Sequence, residues 1–185
     1  MSKVRPTVST RVASVPLRTN SASNARIRVV GIDPGLQRTG YACVELETGQ
    51  YTATLVDAGV LRLKAKTTIA FRLRQLDLDL TEILDELVPS CMAVETVFTH
   101  QKNLRTAILM AHARGVVLLS AQRRGIELVE LSPATVKKSM TGNGNASKRQ
   151  MQLAVAAEFR LASPPEPPDI ADAIAIALAG ARRAI

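Results

Sequence analysis

Ile27-Arg28-Val29-Val30-Gly31-Ile32-Asp33-Pro34-Gly35 is the stretch that decides the architecture. Val29 to Ile32 are β-branched or Gly, and a run of this kind stopped by Asp-Pro-Gly reads as a buried strand entering a turn. An acid at the C-terminal edge of such a strand stands where open α/β sheets bind their ligands. Asp before Pro-Gly is also ordinary turn chemistry. Taken alone, the residue leaves both readings open.

Working outward, Gly40 to Leu46 and Tyr51 to Leu63 read as two more strands joined through Glu47-Thr48-Gly49-Gln50. Thr67 to Val88 carries Ile69, Leu73, Leu76, Leu80, Ile83, Leu84 and Leu87 at helical spacing, and Pro89 closes it. Cys91 to Val97 reads as a buried strand and Asn103 to Arg124 as a long apolar helix stopped by Gly125. Ile126 to Leu131 makes a fifth strand. Ser132-Pro133 starts a short helix to Met140, Thr141 to Ser147 is a loop, and Lys148 to Phe159 is helical. Prolines 164, 165, 167 and 168 break the chain before an Ala-rich helix from Asp169. A three-strand meander followed by strand–helix alternation predicts an α/β fold, a mixed five-stranded sheet with helices on both faces.

Two further acidic positions bear on Asp33. Glu95 falls in an apolar strand, where an unpaired carboxylate is costly or takes up a proton, so it needs an Arg or a metal ion beside it. Asp169 and Asp172 stand three apart and project from one face at a helix start. Taken alone, that pair is better explained as helix capping beside the positive helix end. The four together favour chemistry: hard divalent cations take oxygen ligands, and two ions roughly 4 Å apart activate water and stabilise the leaving oxygen of a phosphodiester. Four acids gathered without a cation would repel one another.

The charge balance agrees with a polyanionic partner. The 185-residue chain carries a net +8, of which the acid-free stretch 1–26 supplies +5 through Lys3, Arg5, Arg11, Arg18 and Arg26. Lys102, Arg105, Lys137, Lys138, Lys148 and Arg149 gather at loops and helix starts. Thr141 to Lys148 has the Gly and Asn content of a phosphate cradle, although Ser147 stands where a Walker loop needs Gly. Cys43 and Cys91 are too few for a disulfide framework, which points to a reducing, cytoplasmic setting. His100 and His112 show no ligand spacing. No apolar run reaches membrane-spanning length. Residues 1–25 read as a disordered basic extension to one domain over residues 26–185; their Arg- and Ser-rich composition also fits an organelle transit peptide.

In order along the chain stand Gly31-Ile32-Asp33-Pro34-Gly35 with Thr39-Gly40-Tyr41, then Glu95-Thr96-Val97-Phe98, Ala113-Arg114-Gly115-Val116, Val136-Lys137, Gly142-Asn143-Gly144 with Ala146-Ser147-Lys148, and Asp169-Ile170-Ala171-Asp172-Ala173. This series resembles the RuvC family of Holliday-junction resolvases from about Arg26 onward. The resemblance implies an RNase H-like fold and a homodimer nicking a four-way DNA junction symmetrically, with a branch-migration complex as a candidate partner. It implies Mg²⁺, two ions per site with Mn²⁺ as an alternative, held by Asp33, Glu95, Asp169 and Asp172. Lys137 and Lys148 then match positions that meet DNA phosphates, and Phe98 an aromatic that stacks on junction bases, although a core Phe is the competing reading. The helix around Ala107 to Leu119 becomes the dimer contact. Competing functions are a related nuclease acting on RNA or other branched DNA, a sugar-kinase-like ATPase, for which the chain is short of a second domain, and a non-catalytic DNA-binding protein, against which the four acids speak.

Overall fold

The computed structural model of the chain describes residues 8–11, 26–47, 52–96 and 104–184. Its strands are β1 (Val8–Arg11), β2 (Arg26–Asp33), β3 (Arg38–Glu47), β4 (Ala53–Arg62), β5 (Cys91–Glu95) and β6 (Glu127–Leu131). The helices are α1 (Ile69–Leu87), α2 (Leu104–Arg123), α3 (Pro133–Thr141), α4 (Lys148–Glu158) and α5 (Pro168–Ala184). The five expected strands are present, in the spatial order β4-β3-β2-β5-β6, and β1 adds a sixth at the β4 edge. That strand is a departure from the disordered reading of residues 1–25: Val8 pairs with Leu61 and Arg11 with Gly59, antiparallel.

The meander β2-β3-β4 is antiparallel, while β5 and β6 run parallel to β2. Parallel pairing sets the C-terminal ends of β2 and β5 side by side, since Ile32 is in register with Val94. Side chains alternate across the sheet. Val30, Ile32, Met92 and Val94 meet α1 and α2 in one core, whereas Val29, Cys91 and Ala93 meet α5 in the other. By the same alternation Asp33 and Glu95 project toward the α5 face.

Helix α5 is buried almost throughout, from Ile170 to Ala181, because it lies between the sheet and the pair α3 and α4. Its Ala content is what lets it lie so close. A side chain at Gly31 would fall on the backbone of Ala173 and Ala177, and one at Gly40 on the carbonyl of Asp169. These glycines fix the helix height at the end that carries its acids.

Helix α2 is different. It buries Ala113, Val117, Ser120 and Ala121, yet leaves Leu104 74%, Ile108 49% and Leu119 47% exposed. By length and composition it is apolar enough to cross a membrane, which the sequence reading did not anticipate. Arg114 in its middle is nevertheless tied to Glu130 of β6 and to the carbonyl of Glu95, so the helix is fastened to the sheet.

Candidate active site

Asp33 ends β2, and the turn after it is fastened without help from the acid. The buried Thr39 hydroxyl donates to the Gly35 carbonyl at 2.7 Å and accepts from the Gly35 N–H at 3.2 Å. The turn reading and the ligand reading are therefore compatible: Pro34 and Gly35 make the turn and leave the Asp33 carboxylate for other work.

Glu95 is the last residue of β5. The structure answers the question of its counter-charge: among the described residues neither Glu95, Asp33 nor Asp172 has an ion-pair partner within 4.0 Å. Asp172 comes from α5. Asp169 lies in the first turn of that helix, behind Pro168, rather than at the cap position expected of it. Pro at the first helical position is the reason, because its missing N–H would have no partner there anyway. Asp169 is balanced by Arg38, at the start of β3, with Nη1 3.7 Å from the carboxylate.

Electrostatics joins three elements into one site. The Asp33 carboxyl is pushed up to about 7, first by burial and then by the charges of Asp172, Glu95 and Asp169, with Lys148 opposing. Glu95 is raised by burial and by Asp172, with Lys137 and Lys148 pulling it back. Asp172 is raised by burial and by Asp169, again against Lys148 and Lys137. Asp33 thus responds to the three other acids, Glu95 to Asp172 and Asp172 to Asp169, and Lys148 opposes all three shifts.

Those lysines arrive on helices with well-made starts. Ser132 caps α3 through the Thr135 N–H, and half-buried Lys137 follows on that helix. Ser147 and Gln150 form a reciprocal capping box at α4, whose first residue is the exposed Lys148. The loop between is not a phosphate cradle as the sequence suggested. The amides of Gly142, Asn143, Asn145, Ala146 and Ser147 all donate within the segment or to α3 and α4, so few are left for an anion. It leads into the capping box that starts α4 at Lys148. Arg105, in contrast, stands at the start of α2 beside Thr68 and Arg72 of the α1 end, lining a cavity of about 680 Å³ on the opposite face. Phe98 and Lys102 lie outside the described residues.

The donor set fits a hard divalent cation. It is all carboxylate oxygen, half-buried, and short of positive charge, and repulsion of this kind is what a bound cation relieves. Among the described residues no three acids close into a preformed cage. Mg²⁺ does not ask for one, since it keeps several waters and binds through one or two carboxylates together with substrate phosphate. Of the residues at this site, the sequence reading did not assign a role to Arg38, which pairs with Asp169. It also did not see the contacts of Gly31 and Gly40 with α5, or the bond from Arg114 to the Glu95 carbonyl.

Comparison with known proteins places this geometry in a family. The family model described as crossover junction endodeoxyribonuclease RuvC matches residues 29–180. A crossover junction endodeoxyribonuclease RuvC of Rhodopirellula baltica is 45% identical over 152 residues, 82% of this chain and 84% of that protein. The structure of T. thermophilus RuvC in complex with a Holliday junction substrate superposes with a TM-score of 0.78 at 30% identity, covering 85% of this chain and 94% of the other. The yeast mitochondrial Holliday junction resolvase shares the fold at a TM-score of 0.59 and 15% identity, over 84% of this chain and 79% of its own.

Proposed function

The chain belongs to the RuvC family of crossover junction endodeoxyribonucleases, and from that premise we propose that Asp33, Glu95, Asp169 and Asp172 hold two Mg²⁺ ions at which four-way DNA junctions are cut. It is a nuclease, a phosphodiester hydrolase with a divalent metal requirement, acting in recombination and repair. The observation that carries the finer reading is the set of half-buried acids from β2, β5 and α5 that raise one another with no ion-pair partner for three of them. When bound, such ions supply an activated water and stabilise the departing 3′ oxygen.

The chain's own residues do the rest. Asp33 and Glu95 are held by adjacent parallel strands and Asp172 by a helix buried almost throughout, so the ligands stand on elements of the scaffold rather than on loops. Lys137 and Lys148 bring positive charge to the same acids and contact the phosphates flanking the scissile bond. With a cation bound, Arg38 would be free to leave Asp169 for the DNA backbone, because an exposed ion pair of this kind is worth little. Phe98, three residues beyond Glu95, stacks on an unpaired base at the crossover, a contact of about 1–3 kcal/mol.

Symmetric nicking needs two sites related by a two-fold axis. The exposed apolar stripe of α2, with Ile108, Ala111, Gly115 and Leu119, supports a homodimer through this helix. A side chain at Gly115 would meet nothing within 4 Å, so the monomer has no use for a glycine there and a crossing partner helix does. Residues 1–25 add non-specific charge, and the free, buried Cys43 and Cys91 suit the cytoplasm. The reading is tested by incubating the protein with labelled four-way junction, linear duplex and RNA–DNA hybrid, with Mg²⁺, with Mn²⁺ and with chelator. Paired nicks in the junction alone, dependent on the metal, support it, whereas preferential cutting of the hybrid overturns it.

A further inference from the structure

Glu95 has to be held at the very end of β5, where the sheet no longer holds it. Its backbone carbonyl faces β2, since Thr96 beside it turns its own N–H to Leu131 of β6 at 2.8 Å. Extending the β2–β5 register past Ile32–Val94, the donor that parallel pairing would bring to the Glu95 carbonyl is the N–H of residue 34. Pro34 has none. The turn that frees Asp33 thus leaves Glu95 short of a ladder bond.

The missing donor comes from the other side of the sheet. Arg114, in the middle of α2, donates its Nε to the Glu95 carbonyl at 3.3 Å. The other arm of the same guanidinium pairs with Glu130 of β6, next to Leu131, which lies opposite Glu95. The Arg114 side chain is only 17% exposed, so its fork is set by packing and spans the ends of two strands. Glu95 itself points toward α5 and the acids, whereas α2 packs on the opposite face. A planar guanidinium with several fixed donors can do this; an ammonium cannot.

We propose that Arg114 is a positioning residue for Glu95: it supplies the donor that Pro34 lacks, fixes the end of β5, and so sets the angle at which the Glu95 carboxylate reaches the metal site. The inference rests on Glu95 being a metal ligand. It also links the site to α2, the helix whose outer face carries the proposed dimer contact, through one residue of that helix.

The test is Mn²⁺ affinity of the full chain without DNA, followed by the electron paramagnetic resonance of the free ion. Arg114→Ala and Arg114→Lys are compared with wild type and with Glu95→Gln. Outer partners of metal ligands are worth about 10–100-fold in affinity or activity, so both Arg114 variants should bind Mn²⁺ about tenfold or more weakly. Junction cutting should fall through kcat with KM held. In a Glu95→Gln background, Arg114→Lys should have no further effect on Mn²⁺ binding, because its effect runs through Glu95. A merely structural arginine would lower the melting temperature and weaken Mn²⁺ equally in both backgrounds, which overturns the proposal. Should Arg114→Ala not fold, Arg114→Lys decides alone, and wild-type Mn²⁺ affinity in that variant refutes the positioning role. If Glu95→Gln binds Mn²⁺ as tightly as wild type, the ligand assignment of Glu95 falls, and this inference with it; if only the Arg114 variants are normal, the inference alone falls.

Discussion

Replacing Asp33 by Asn should make the metal-free protein more stable at alkaline pH. The Asp33 carboxyl rises from 3.8 to about 7 on folding, and each tenfold change in proton affinity is worth about 1.4 kcal/mol. The rise therefore corresponds to roughly 4 kcal/mol. Its sign follows from proton binding: between 3.8 and 7 the native state keeps a proton that the unfolded chain has released, so stability falls as pH rises through that window. Above about 7 the full cost is present; below about 4 it is gone. Asn removes the charge but still buries an amide short of partners, at about 1–3 kcal/mol. Urea denaturation in chelator should find Asp33→Asn more stable than wild type by about 2–3 kcal/mol at pH 8.5, with the advantage shrinking below about 1 kcal/mol at pH 5. Adding Mg²⁺ at pH 8.5 should narrow the gap, because a cation that binds the native acids stabilises wild type by mass action and the variant less. A gap that stays the same at both pH values, or a wild type that is the more stable at pH 8.5, refutes the claim that burial and mutual repulsion dominate at these acids.

Gly40→Ala should displace the start of α5, since the added methyl falls on the Asp169 carbonyl; a loss of about 1–3 kcal/mol in melting should accompany a much larger loss of cutting, and full activity would show that α5 has slack. Lys148→Ala should lower the slope of junction affinity against salt by about one unit for the lost phosphate contact, measured by fluorescence anisotropy, while an unchanged slope would make it a plain surface charge. Gly115→Glu puts a charge into the outer face of α2 where the monomer has open space; light scattering should drop from twice 19.9 kDa to one with the melting curve of the monomer intact, and a persistent dimer would place the contact elsewhere.

Much of the architecture could be read from the chain because each element carries its own signal. Val29 to Ile32 and Cys91 to Val94 are apolar runs of strand length, α1 shows its periodicity, and Ser132 and Ser147 announce the helices they cap. Strand β1 was not readable: four residues, Val-Ser-Thr-Arg, have no periodicity, and what places them is backbone pairing with the β4 edge. The four acids were visible as oddities, one closing an apolar strand, one within a buried strand and two at one helix end. That they act on one another became evident only when β2, β5 and α5 were brought together. Arg38 and Arg114 were missed for the same reason, their partners being far away in sequence. The phosphate-cradle reading of 141–148 failed because composition shows how many amides a loop has, not how many are already bonded.

We propose that Glu95, Asp33, Asp169 and Asp172 form one metal-dependent cutting site. Its most direct test is single-turnover cleavage of a labelled four-way junction in Mg²⁺ by Glu95→Gln, with junction affinity measured on the same protein in Ca²⁺. Cleavage should fall below detection with affinity close to that of wild type. Near-normal turnover by Glu95→Gln would contradict it.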